Sequence, residues 1–179
     1  MTRVVYVGMD VDKKKIVIAR VGEGREAEVQ QRVIANTPAA VKKYFAPLAG
    51  QADVMATYEA GCFGYALYRQ LTELGVACLV AAPGRIPRKP SDRIKTDRRD
   101  ARTLAMALRA GQITGVHIPT RHDESVRDFL RMYEDLRSDL RKAKQRVLHF
   151  LLRRGLSYQG GGNWTVRHKE WLASLQFED

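Results

Sequence analysis

"RVVYVGMD", residues 3–10, decides how the chain is read. Its valines make an apolar run too short for a buried helix, and β-branched side chains suit a pleated strand. The run ends in Gly8-Met9-Asp10, so an acid stands at the strand's carboxyl end. Ligand-binding groups of open α/β sheets gather beyond such ends. Outward from it, "KKIVIARVG" (14–22) predicts a second strand after a tight connection, and "EVQQRVIA" (28–35) a third. Three strands in series predict a meander. Thr37-Pro38 then has the form of an N-cap followed by a first-turn proline. The segment 39–49, "AAVKKYFAPLA", predicts a short amphipathic helix disturbed at Pro47.

A fourth strand, "ADVMATYE" (52–59), also ends in an acid, Glu59. Gly61 and Gly64 loosen the chain, "YALYRQLTELG" (65–75) predicts a helix with Gly75 at its C-cap, and "VACLVAA" (76–82) a fifth strand. The order βββ–α–β–α–β predicts an α/β fold, a mixed sheet with helices on its faces. "PGRIPRKPSDRIK" (83–95) is rich in Pro, Gly and cations and suits an exposed binding loop. Thr96 is placed to cap a helix over 97–111, with Ala101, Leu104 and Leu108 as its apolar face.

Residues 123–154 predict one long helix. Val126, Leu130, Tyr133, Leu136, Leu140, Ala143, Val147 and Phe150 recur every three or four positions among charged residues. At 1.5 Å per residue it would reach about 48 Å, too far for a small domain to cover, so a second helix is the expected partner. "YQGGGNW" (158–164) is a break, and "WTVRHKEWLASLQF" (164–177) predicts a further amphipathic helix with Trp164 and Trp171 on one face. The chain then stops, which reads as a longer protein cut short. The expected division is a catalytic domain over 1–115, a helical assembly region over 116–157, and a linker with the start of a following segment over 158–179.

The 179 residues are 45% hydrophobic, enough for a core, and carry a formal charge of +11. The charge is uneven: +2 over residues 1–80, +10 over 81–155 and −1 beyond. That excess points to a nucleic-acid or anionic-membrane partner whose contact surface starts after residue 80. Cys62 and Cys78 have no metal-ligand spacing and suggest no disulfide scaffold, so a reducing compartment, the cytoplasm, fits best. No signal-peptide pattern and no 18-residue apolar run are present.

Asp97 and Asp100, in "RIKTDRRDAR" (93–102), stand one helical turn apart among arginines and a lysine. Spacing i,i+3 puts both on one helix face. A bland reading is available: first-turn acids complement the helix dipole and pair with nearby arginines. Asp10 and Glu59 likewise read individually as turn or surface acids, and Asp12 as a surface residue. Taken together, two strand-end acids and a helix-face pair make a carboxylate cluster, whose repulsion a divalent cation relieves. Mg²⁺, hard and oxygen-liganded, is the expected metal. Two such ions would suit phosphodiester chemistry. The cationic segment 85–102 could hold backbone phosphates, which position a nucleic acid without reading its bases. His117, His122, His149 and His168 show no ligand pairing and read as surface or structural residues. The aromatics of "YEAGCFGYALY" (58–68) read as core rather than as a stacking platform, Tyr58 and Phe63 near Glu59 being the two worth testing for stacking, and no serine has a general-base pattern beside it.

Four stretches carry a family resemblance: "YVGMDVDKKK" (6–15), "ATYEAGCFGYALYRQL" (56–71), "VAAPGRIPRKPSDRIKTDRRDARTLA" (80–105), and 116–172 from "VHIPTRHDESVRDFLR" to "HKEWL". In order and over nearly the whole length, they resemble the N-terminal part of IS110-type insertion-sequence transposases. The resemblance implies a ribonuclease-H-like, RuvC-like fold, with Asp10, Glu59, Asp97 and Asp100 as the catalytic, Mg²⁺-holding DEDD acids. It implies a DNA transposase and recombinase, in the prokaryotic cytoplasm at the nucleoid, guided by a bridge RNA. The expected nucleic-acid contacts are Arg85, Arg88, Lys89, Arg93, Lys95, Arg98, Arg99 and Arg102. The long helix would help assemble a homodimer or tetramer. Family members carry a second, serine-bearing transposase domain beyond the length of this chain. The alternative is a non-catalytic module for RNA or DNA binding and oligomerisation. A small kinase of the actin-like class is a distant third, since a duplicated domain and Gly-rich phosphate loops are missing.

Overall fold

A computed structural model describes residues 3–24, 27–84 and 97–177. The chain divides into two compact units, Met1–Ile118 and Pro119–Asp179.

In the first unit, β1 (Val4–Val11), β2 (Lys15–Gly22) and β3 (Gln30–Ala35) form the predicted antiparallel meander. β4 (Asp53–Glu59) and β5 (Ala77–Ala81) then add parallel strands beyond β1. The five-stranded order is β3-β2-β1-β4-β5, so the first strand is central. This mixed sheet with flanking helices, followed by a long helix, is the ribonuclease-H-like architecture expected from the order of elements.

Strand periodicity sorts the side chains into two layers. Val5, Val7 and Met9 of β1 join Ile16, Ile18, Val54, Ala56 and Tyr58 on one face. There they pack with Val41 and Phe45 of α1 (Pro38–Ala49) and Leu71 of α2 (Ala66–Glu73). The opposite face carries Val17, Ala19 and Val21, covered by Ala101 and Ala105 of α3 (Asp97–Arg109). Thr37 caps α1 as predicted, its side chain accepting the Ala40 N–H. Pro47 does not end α1. It stands in the last turn, where a single i→i−4 bond is forfeited, and the turn closes through the Gly50 N–H on the Ala46 carbonyl and the Gln51 N–H on the Leu48 carbonyl. Gly75 lies one residue beyond the Leu74 cap of α2, at φ 77°, the left-handed conformation that stops a helix. Predicted helix-capping Thr96 and loop residues 85–95 lie outside the described residues.

Cys78, half-buried on β5, has its thiol pushed up to about 12 by burial, whereas Cys62 is exposed. Thiolate is the reactive form. A disulfide reagent at pH 8 should therefore label Cys62 rapidly and Cys78 only on unfolding, which mass spectrometry of tryptic peptides would show. Equal labelling of both under native conditions would contradict this packing.

The second unit opens with α4 (Arg121–Leu152), 32 residues long. Thr120 caps it, accepting the Asp123 N–H at 3.1 Å, so the helix starts two residues before the predicted 123. Its apolar stripe is open: Phe129, Leu130, Leu136 and Leu140 are each more than half exposed. The segment 164–177 differs from expectation. Trp164 is not helical. It sits at φ 68°, in the left-handed region, and Thr165 caps α5 (Val166–Ser174). A threonine cap one residue on outcompetes helical continuation, and the two tryptophans do not share a helix face. The Trp164 N–H donates to Nδ1 of His168, a fully buried residue ringed by Tyr158, Trp164 and Trp171. That gives His168 the structural role read from the sequence.

Candidate functional site

The site is built on the middle of the sheet. Asp10 stands one residue before the end of β1, opposite Val17 of β2, and directly opposed residues of an antiparallel pair share a face. Val17 lies under α3, so Asp10 belongs to the α3 side. On the other flank of β1, the parallel ladder with β4 runs through Gly8↔Thr57 and Met9↔Tyr58. Asp10 and Glu59 are the next residues on each strand. Two acids 49 positions apart in sequence thus come to the carboxyl ends of adjacent parallel strands.

Gly8 then decides where the helix-borne acids go. A Cβ built on Gly8 would overlap Ala101 O and Ala105 N and lie 2.9 Å from the Leu104 carbonyl carbon. The backbone of α3 therefore rests directly on β1, and its small residues Ala101 and Ala105, wholly buried, permit that approach. Hydrogen bonds tie down both ends of the helix. Gln31 Nε2 of β3 donates to Arg98 O at 2.9 Å, and Arg109 Nη1 donates to Gly24 O at 2.9 Å. With that seating, the first turn of α3 carries Asp97 and Asp100 toward the end of the sheet where Asp10 and Glu59 stand.

Lys15 joins them. It opens β2 two residues before Val17, on the α3 face, and its Nζ pairs with Asp97 Oδ2 at 2.6 Å. The hydrogen bond and charge of Asp97 hold the ammonium above its ordinary pKa, and Asp12 and Asp10 add to that. Both partners of the pair are about half exposed, so solvent screens it and it adds little to stability. Thr57, fully buried on the same face, has a hydroxyl with no hydrogen-bond partner among the described residues.

Asp10, Glu59, Asp97 and Asp100 share one end of one face. Among the described residues, however, no three His, Cys, Asp or Glu close into a group that could hold a metal ion. In kind the donors fit Mg²⁺: every one is a carboxylate, the ligand preferred by a hard cation. Of the predicted nucleic-acid contacts, Arg98, Arg99 and Arg102 are exposed on α3, with Arg99 making contacts of its own. Arg85, Arg88, Lys89, Arg93 and Lys95 lie outside the described residues.

Sequence reading missed Lys15 and Thr57 and treated Gly8 only as a strand end. The signal for Lys15 was its even spacing from Val17, Ala19 and Val21, which sets it on their face. No helix among the described residues is long and apolar enough to cross a membrane.

A sheet of this order, with acids at the ends of its central strands and on the helix above, defines a ribonuclease-H-like class of protein. The family model of IS110-type DEDD transposases matches residues 7–154. The transposase for insertion sequence element IS1533 of Leptospira borgpetersenii is 42% identical over 183 residues, covering 100% of this chain and 53% of that protein. The y4qE protein of Sinorhizobium fredii is 40% identical over 178 residues, covering 98% of this chain and 46% of its own length. The chain belongs to the IS110-type transposase family. It spans about half the length of these curated relatives. A solved structure of T. thermophilus RuvC with a Holliday junction substrate aligns at TM-score 0.40 and 12% identity, over 63% of this chain and 99% of that one. A likeness of that degree carries no weight.

Proposed function

We propose that the first unit is the Mg²⁺-dependent catalytic part of a DNA transposase and recombinase that moves an insertion sequence. Asp10, Glu59, Asp97 and Asp100 are its catalytic, metal-holding acids. The observation that supports this reading is the seating of α3 on Gly8, which brings the helix-borne pair to the end of the sheet where the strand-borne pair stands. Bound there, Mg²⁺ would supply Lewis-acid activation of phosphodiester oxygens for cleavage and strand exchange. The acids orient it from three separate elements, so a change in the packing of α3 alters the site as a whole.

Arg98, Arg99 and Arg102, with Arg85, Arg88, Lys89, Arg93 and Lys95, supply positive charge for nucleic-acid phosphates. On α4, Arg137, Arg141 and Lys144 line a recess of about 330 Å³ against Trp164, with Lys144 Nζ 5.5 Å from the ring centroid. Cations beside an aromatic face suit a nucleic acid, DNA or the bridge RNA that the resemblance implies. The open stripe of α4 serves homo-oligomer assembly, as a dimer or tetramer, in this reading. The functional division is a catalytic region over 1–115, an assembly region over 116–157 and the start of a further segment over 158–179. A site in the prokaryotic cytoplasm, at the nucleoid, goes with it.

Calorimetric titration with Mn²⁺ or Mg²⁺ tests the metal site. Binding should weaken at least about tenfold in Asp97→Ala/Asp100→Ala, since removing two hard anionic ligands removes the charge that holds the cation. An unchanged titration would sink the reading. A second reading, a non-catalytic nucleic-acid-binding and oligomerisation module, is favoured by the failure of three acids to converge among the described residues. It predicts unchanged DNA or RNA affinity in the same double variant and no cation binding by the wild type.

A further inference from the structure

The ion pair between Lys15 and Asp97 joins positions 82 residues apart, one opening β2 and the other opening α3. Neither end is a surface accident. Lys15 is set on the α3 face by the same alternation that buries Val17 and Ala19 beneath the helix. Asp97 is brought to it by the seating of α3 on Gly8. Its neighbours Lys13 and Lys14 are exposed in the connection between β1 and β2, whereas Lys15 reaches a carboxylate of the acidic end. An ammonium is a compact cation on a flexible stem, able to neutralise a carboxylate and to withdraw without rearranging the backbone.

Resting on the metal-site reading above, we propose that Lys15 is a built-in counter-ion of that site. It holds Asp97 while no divalent cation is bound and releases it when one binds. The ammonium occupies Oδ2 of Asp97 and sets a positive charge beside that carboxylate. The two cations therefore compete for the same negative charge, and Lys15 lowers cation affinity. In return it limits repulsion among acids gathered at one end of the sheet, where Asp10 and Asp12 also feel its charge. Lys15 is in this sense a positioning residue, acting through Asp97.

Lys15→Met keeps the alkyl stem and removes the charge. Isothermal titration with Mn²⁺, compared with wild type, should show affinity raised roughly two- to fivefold, the scale on which an exposed ion pair competes. Lys14→Met removes the same unit of charge next door and should change affinity less, which separates specific competition from the general field. In an Asp97→Asn background, Lys15→Met should give no gain, because the pair is already gone. Circular dichroism melts check that each variant is folded. Three results would overturn the proposal: wild type binds Mn²⁺ but Lys15→Met binds no tighter; Lys14→Met gains as much; or the gain survives in Asp97→Asn. Wild type that binds no Mn²⁺ would overturn the metal-site reading itself, and the proposal with it.

Discussion

Gly8→Ala should cost the first unit about 3 kcal/mol or more, the upper end of what overpacking a core does. The reason is that the added methyl meets backbone, not side chain. Ala101 O, Ala105 N and the Leu104 carbonyl carbon are all parts of a helix that cannot rotate away as a rotamer would. Accommodation requires lifting α3 off β1. That withdraws Ala101 and Ala105 from Val17, Ala19 and Val21, and strains the bonds from Gln31 and Arg109 that hold the helix ends. Small domains have only about 5–15 kcal/mol in total. A urea titration followed by circular dichroism should show the midpoint falling sharply, with Gly8→Val falling further. Whatever folded protein remains should have lost the Lys15–Asp97 pair, since the helix that carries Asp97 has moved. A midpoint matching wild type would mean that α3 does not bear on Gly8.

Phe45→Ala should have a similar effect from the opposite face. Phe45 is fully buried between α1 and the sheet and meets Tyr44 edge-on, with ring centroids 5.0 Å apart. Deleting a buried phenyl ring typically costs about 3–5 kcal/mol, part lost transfer energy and part cavity. The surrounding valines, β-branched and held by the ladder, have little freedom to collapse into the space. The same urea titration measures it. Because the sheet separates Phe45 from the acids, cation binding by the folded fraction of Phe45→Ala should be unchanged, whereas in Gly8→Ala it should fall. A weakened titration in Phe45→Ala would show that both faces shape the site.

Much of this architecture could be read from residues 3–82 because local patterns agree with it. Valine-rich runs closed by acids gave the strands, and Thr37-Pro38 gave the start of α1. What could not be read was which strands become neighbours. Asp10 and Glu59 are partners only because β4 pairs parallel to β1 across an intervening hairpin and helix, and parallel pairing is decided by long-range packing. The contact of Gly8 with α3 was hidden for the same reason: a glycine that admits a helix looks, in one dimension, like a glycine that ends a strand. Lys15 was legible by parity but not by partner, since Asp97 is 82 positions away. Trp164 was misread because its apolar spacing from Trp171 outweighed the capping threonine beside it. The length of α4 was plain from its period, and its uncovered stripe follows from having more apolar face than its own short unit can bury.

The central place of β1 has a consequence for the growing chain. Its hairpin partner β2 leaves the ribosome at once, and hairpins close within microseconds. Its other edge must wait for β4, some 37 residues later, which at ordinary rates of synthesis is roughly two to seven seconds. Until then a valine-rich edge with unpaired amides is exposed to any extended strand nearby. Asp97 and Asp100 take their places later still, when α3 has emerged through Arg109 and has settled on Gly8. The sheet of a nascent chain stays incomplete until Ala81 has emerged, so the period of greatest risk of mispairing precedes the arrival of the helix that carries Asp97 and Asp100.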